Sequence, residues 1–286
     1  MNQFIITERC STLRTLGREA LRGRWKQALA AMLVYYCATM LPQTILSITS
    51  LGSFSWLYSL LVTGPFMLGY SIFALNYFRR QEARASQIFY GFERFGKSLG
   101  TYLLICIFIF FWMLICIPAI LAVSFVPVLF PLAILSFVPA MIAYLRYSQA
   151  FYILTDHPEV GVLDSIAMSK QLMNGNVWKL FLLYLSFIGW FVLASIPAGI
   201  LSAYQTQAII SEFPLSAMTS QMIMQMMNEI VVSPTFQISM MISYIPYLWV
   251  DAYIMAAKTG FYEMLKGNLR PGVYQTSAEI IENTSE

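Results

Sequence analysis

Apolar positions dominate six stretches of the chain, residues 27–50, 56–78, 99–123, 130–154, 178–201 and 238–261. Each is long enough to cross a hydrocarbon core of about 30 Å, which takes about 20 helical residues. The connections 51–55, 124–129 and 202–237 carry almost no charge, whereas those after the second and fourth stretches are strongly polar. The pattern predicts an all-α fold: a polytopic six-transmembrane-helix bundle, with an N-terminal segment 1–26, a membrane domain 27–261 and a tail 262–286.

Polar and apolar positions also repeat at longer range. Three times an amphipathic stretch carries a basic residue beside Gly or Trp and leads into a hairpin of two spans: "LRTLGREALRGRWKQALA" at 13–30, "FYGFERFGKSLGTYLL" at 89–104 and "SIAMSKQLMNGNVWKLFLL" at 165–183. Lys26, Lys97 and Lys179 fall in equivalent places. The even spans match as well, with Pro65, Pro139 and Pro246 each followed five positions later by Tyr70, Tyr144 or Asp251. A proline inside a span frees backbone carbonyls that neighbours must satisfy. Three repeated hairpins are one reading; ordinary interfacial helices and membrane prolines are the other. In "ASQIFYGFERFGKSL", Ile88, Phe89, Phe92, Phe95 and Leu99 recur at helical spacing while Arg94 and Lys97 can meet headgroups, which predicts a helix over 84–97 lying along the membrane surface.

Charge sets the orientation. All 17 Lys/Arg lie in the N-terminal segment, at 79–97, around Lys170 and Lys179, at 258–270, or at Arg146. The connections 51–55, 124–129 and 202–237 hold none, and the positive-inside rule then predicts both termini in the cytoplasm. With 58% hydrophobic and 11% charged residues the net +3 is a topology signal, and nucleic acid is not an expected partner. The expected partners are the bilayer, anionic lipid, or a membrane or cytoplasmic protein, with Lys26, Arg94, Lys97 and Lys179 as the contact residues. Six Lys/Arg and no cleavable apolar region precede residue 27, so the first span is expected to remain in the mature protein.

Candidate chemistry is sparse. The single histidine, His157, excludes HExxH zinc chemistry and a Ser–His pair within the bilayer, and no phosphate-binding glycine loop occurs. Asp156 and His157 before Pro158 read as a turn and helix start. The four cysteines fit neither a disulfide framework nor a metal site. The connection 202–237 contains Met218, Met222, Met224, Met226 and Met227, which suits either Cu(I) or adaptable packing. No enzyme activity, cofactor or metal is expected. Within the spans, Tyr244, Tyr247, Asp251 and Lys258 share one helical face, and Arg146 shares another with Gln149. Arg146 and Asp251 lie at matching depth, roughly 12 to 15 Å from the inner boundary at 1.5 Å per residue. They are the expected ion pair, as a ligand path or as a structural clasp; Arg146 reaching back to the interface is the alternative.

The runs "LDSIAMSKQLMNGNVWKLFLLYLSFIGW" at 163–190, "IFYGFERFGKSL" and "TGFYEML" resemble the bacterial integral-membrane family catalogued as domain of unknown function 975, from the first hairpin to Leu265. The S-K-x-L-M-x-G run at 169–175 is the most specific part. More distantly the chain is similar to the membrane domain of some bacterial glycerophosphodiester phosphodiesterases. The resemblance implies a six-span protein of Gram-positive cell membranes, with no agreed catalytic residues to carry over, and the Met-rich connection departs from it. The expected function is non-enzymatic binding or passage of a small or lipid-like ligand; the alternative is an anchor or regulatory subunit for a partner.

Overall fold

Long apolar runs with few glycines have one way to satisfy their backbone in lipid, the α-helix. In the computed structural model, which describes residues 4–47, 49, 52–212, 219, 221–222, 224 and 233–269, regular structure is helical, with no strand among the described residues. The order is α1 (Cys10–Leu21), α2 (Trp25–Ser47), α3 (Ser55–Phe78), a 3-10 segment (Ala85–Arg94), α4 (Phe95–Leu114), α5 (Cys116–Phe125), α6 (Phe130–Ser136), α7 (Val138–Tyr147), α8 (Ala150–Asp156), α9 (Val162–Met173), α10 (Val177–Leu185), α11 (Ile188–Glu212), α12 (Pro234–Ser243) and α13 (Ile245–Leu265). Six stretches are long and apolar enough to cross a membrane: Trp25–Ser47, Gly52–Phe78, Ala85–Leu114, Phe130–Asp156, Val177–Tyr204 and Phe236–Leu265. Each overlaps one predicted span. Residues 213–218, 220, 223 and 225–232 of the Met-rich connection, including Met218, Met226 and Met227, lie outside the described residues.

Packing is uneven along the bundle. Phe73 and Tyr77 of α3, Tyr152 and Ile153 of α8, and Phe261, Tyr262 and Leu265 of α13 are fully buried in one core. Elsewhere α4, α5, α6 and α11 present Phe110, Leu121, Phe130 and Ile200 outward, and Phe125 is 85% exposed. In water such a surface would be costly; acyl chains are as apolar as leucine and remove the cost.

The repeated entries are built in two ways. α1 and α9 are both 12-residue helices, followed by Gly23 at φ +77° and Gly175 at φ +76°, the left-handed region that glycine enters without a steric penalty. The chain then turns into α2 or α10. The middle entry has no such joint. Ala85–Arg94 winds as a 3-10 helix directly into α4, and it is packed against α3 rather than standing apart on the surface. A β-carbon at Gly69 would sit on the Ile88 carbonyl, and one at Gly91 on that of Pro65. Glycine therefore permits a backbone-to-backbone approach that apolar periodicity could not reveal.

The aligned prolines also diverge. Pro139 and Pro246 stand in the first turns of α7 and α13, where a missing N–H costs nothing, and each marks a break in its span. Pro65 lies inside the continuous α3.

Candidate functional site

α2, α3, the α7–α8 junction and α13 enclose a cavity of about 260 Å³. Tyr35, Tyr36 and Thr39 reach it from α2, Tyr70 and Ser71 from α3, Ser148 and Phe151 from the junction, and Asp251 and Lys258 from α13, with Tyr244 just before it. Two of the three polar residues that follow the aligned prolines, Tyr70 and Asp251, thus meet here.

The charged groups of this cavity stand apart. The Tyr244 hydroxyl donates to Asp251 Oδ2 at 2.9 Å, and Lys258 Nζ lies 5.3 Å from the Tyr152 ring centroid. Seven residues of helix separate the two, about 10 Å along the axis. Among the described residues neither belongs to an ion pair. The walls are aromatic: Tyr36 stacks on Tyr244 with centroids 4.4 Å apart and planes 2° from parallel, and Tyr35 meets Tyr70 at 5.5 Å. Tyr247, on the predicted face, stacks on Tyr244 at 5.3 Å and does not line the cavity.

Arg146 does not meet Asp251. Its side chain is exposed while its neighbours Leu145 and Tyr147 are buried, so it points away from the core. The expected pair assumed a straight helix, and the helix breaks after Tyr147. Ser169 of α9 bridges the break, donating its hydroxyl to the Arg146 carbonyl at 2.7 Å and accepting from the Gln149 backbone N–H at 3.2 Å. Arg146 and Gln149 therefore no longer share a face. Gln149 is fully buried; its amide nitrogen donates to Ser148 Oγ at 2.9 Å, and its Oε1 has no partner.

The basic residues expected at headgroups are largely engaged by protein. Lys97 Nζ donates to the carbonyls of Pro158 (2.6 Å), Glu159 (3.3 Å) and Val160 (3.2 Å), which ties the turn after α8. Arg94 donates to the Leu154 carbonyl at 3.5 Å and Lys179 to that of Thr7 at 3.4 Å. Lys26 is exposed.

Asp156, read from sequence as part of a turn, is the hub of an ion cluster joining the ends of α3, α8 and α13. Arg79 donates to both its oxygens at 2.7 and 2.9 Å, Lys266 to Oδ2 at 2.7 Å and the Tyr262 hydroxyl to Oδ2 at 3.0 Å. Arg79 also pairs with Glu263 at 2.6 Å, and Asn268 donates to the other Glu263 oxygen. The hydrogen bond to Asp156, more than the charge of Glu263, holds the Arg79 guanidinium above the usual arginine value. Nothing local in sequence signals this cluster, because Arg79 lies 77 positions from Asp156 and 184 from Glu263.

Six helical stretches long and apolar enough to cross a membrane, and an apolar surface turned outward, define a multi-pass α-helical membrane protein. Among the described residues no group of three His, Cys, Asp or Glu side chains could hold a metal ion. The chain belongs to the family described as protein of unknown function DUF975, whose model matches residues 8–269. No curated protein and no solved structure matches it significantly, so the more distant similarity to phosphodiesterase membrane domains has no counterpart here.

Proposed function

We propose that this protein binds a small or lipid-like ligand in the central cavity, or assists its passage, without catalysing a reaction on it. The supporting observation is a cavity of about 260 Å³ that carries a carboxylate and an ammonium group, neither of which has an ion-pair partner among the described residues. Ionisable residues inside membrane spans are expensive and mark ligand or ion paths by default. A ligand with an ammonium group would meet Asp251 and the tyrosine faces, which attract cations, and an acidic group would meet Lys258. The orientation proposed with this reading, both termini on the cytoplasmic side of a bacterial plasma membrane, is supported by the distribution of Lys/Arg along the chain.

Native mass spectrometry of the protein extracted in mild detergent tests the binding. A co-purifying small or lipid-like mass is expected on the wild type. At least one such mass should be lost from Leu248→Trp, which fills the cavity, and reduced at least fivefold in Asp251→Asn, whatever lipid stays bound elsewhere on the protein. Identical spectra for wild type and Leu248→Trp would overturn the reading.

A further inference from the structure

A second cavity, of about 270 Å³, lies between α1, the start of α2, α11 and α13, and nothing in the central-cavity reading uses it. Its charged lining is Arg14 and Arg18, one turn apart on α1, with the Ser11 and Thr15 hydroxyls beside them, and no carboxylate lines it. Arg14 donates to the Ser186 carbonyl at 3.3 Å, at the break between α10 and α11, and Arg18 to Thr15 Oγ1 at 3.4 Å. Among the described residues neither pairs with a carboxylate. A guanidinium has five N–H donors in a planar fork, so most of this donor capacity is open to an acceptor.

Facing the arginines are three tryptophans. Trp25 stacks on Trp249 with centroids 5.3 Å apart and planes 9° from parallel, and Trp190 meets Trp249 at 5.2 Å. Trp190 and Trp249 remain 36% and 38% exposed. An indole offers a broad apolar face with one polar edge, and a half-exposed one suits the carbon portion of an amphipathic molecule. Arginine forks recognise phosphate bidentately and are less strongly hydrated than lysine. Two guanidinium forks with donors to spare, two hydroxyls and an aromatic floor thus occur at one place.

We propose that this cavity binds a phosphate ester, with Arg14 and Arg18 on the phosphate oxygens and the tryptophans against its carbon portion. The exposed tryptophans favour a phospholipid as the source over a soluble ester. The site shares no lining residue with the central cavity, and Leu248→Trp is expected to leave it able to bind.

The test is native mass spectrometry of the full chain in detergent, supplied with phosphatidylglycerol, with phosphatidylcholine, or with glycerol 3-phosphate. Phosphatidylglycerol is expected to stay bound to the wild type, to fall at least fivefold in Arg14→Gln/Arg18→Gln, and to persist in Arg22→Gln, which removes an exposed charge just after α1 and outside the cavity. Displacement by millimolar glycerol 3-phosphate would assign a soluble source; retention against it would assign the lipid. Should the double variant fail to fold, Arg18→Gln, whose side chain is exposed, is expected to lose about threefold. Equal retention by wild type and the folded arginine variants, or an equal loss in Arg22→Gln, would overturn the proposal.

Discussion

Replacing Asp156 by Asn tests whether the ion cluster holds the bundle together. The Asp156 side chain is only 7% exposed and that of Glu263 5%, whereas Arg79 and Lys266 keep 28% and 19%. Asparagine preserves the shape but leaves two cations to share Glu263. Removing one partner of a buried pair costs about 3 to 5 kcal/mol, because the other charge is stranded. Partial access of water to Arg79 and Lys266 places the expected loss near the lower end of that range. At roughly 2 to 4 °C per kcal/mol for a chain of this order of size, the unfolding midpoint in detergent should fall by about 6 to 12 °C, read by fluorescence during heating. The double variant Asp156→Asn/Lys266→Met restores one cation to one carboxylate. It should be less damaged than the sum of its singles, by about 1 to 3 kcal/mol. A midpoint lowered by under about 2 °C, or strict additivity in the double variant, would refute the reasoning.

Gly91→Ala is expected to cost about 3 kcal/mol or more through backbone displacement, whereas Gly96→Ala, with nothing near its β-carbon, should leave folded yield unchanged; size-exclusion profiles of the two variants in detergent check this. Arg146→Gln should shift stability by no more than about 0.5 kcal/mol, as for other exposed positions, and the exchange Arg146→Asp with Asp251→Arg should give no recovery over its singles in thermal unfolding. Single cysteines placed at Ser220 and at Ser277 are expected to label from outside intact cells and only after permeabilisation, respectively; the reverse pattern would refute the proposed orientation.

What was legible in the sequence was whatever depends on a local period. Runs of about 20 apolar residues located every span because lipid imposes that length and the α-helix on the chain. The face shared by Tyr244, Asp251 and Lys258 was likewise legible, since α13 is continuous from Ile245 and Tyr244 directly precedes it. The Arg146–Asp251 pair failed because its argument extended one helical register across the break at Ser148, where Ser169 intervenes from another helix. The segment 85–94 was read from its aromatic spacing, but its position is set by Gly69 and Gly91, whose role is to have no side chain. Asp156 escaped notice because a carboxylate beside His and Pro has an adequate local explanation, and its partners are distant in sequence.

Central cavity and ion cluster are carried by the same helices. α3 brings Tyr70 and Ser71 to the cavity and ends at Phe78, beside Arg79; α8 brings Phe151 and ends at Asp156; α13 brings Asp251 and Lys258 and then Glu263. Glu263 stands 12 positions along unbroken helix from Asp251, about 18 Å, and the residues between them are almost all buried. A close-packed interior transmits displacement instead of absorbing it. Tight anchoring at one end therefore fixes the spacing of the tyrosines, the carboxylate and the ammonium group further along. The breaks before α7 and α13 lie in the less buried part of the bundle, whereas the joint between α7 and α8 is buried and tied by Ser169. On the proposed reading, movement that admits a ligand is easiest at those two breaks, with the ion cluster as the fixed point.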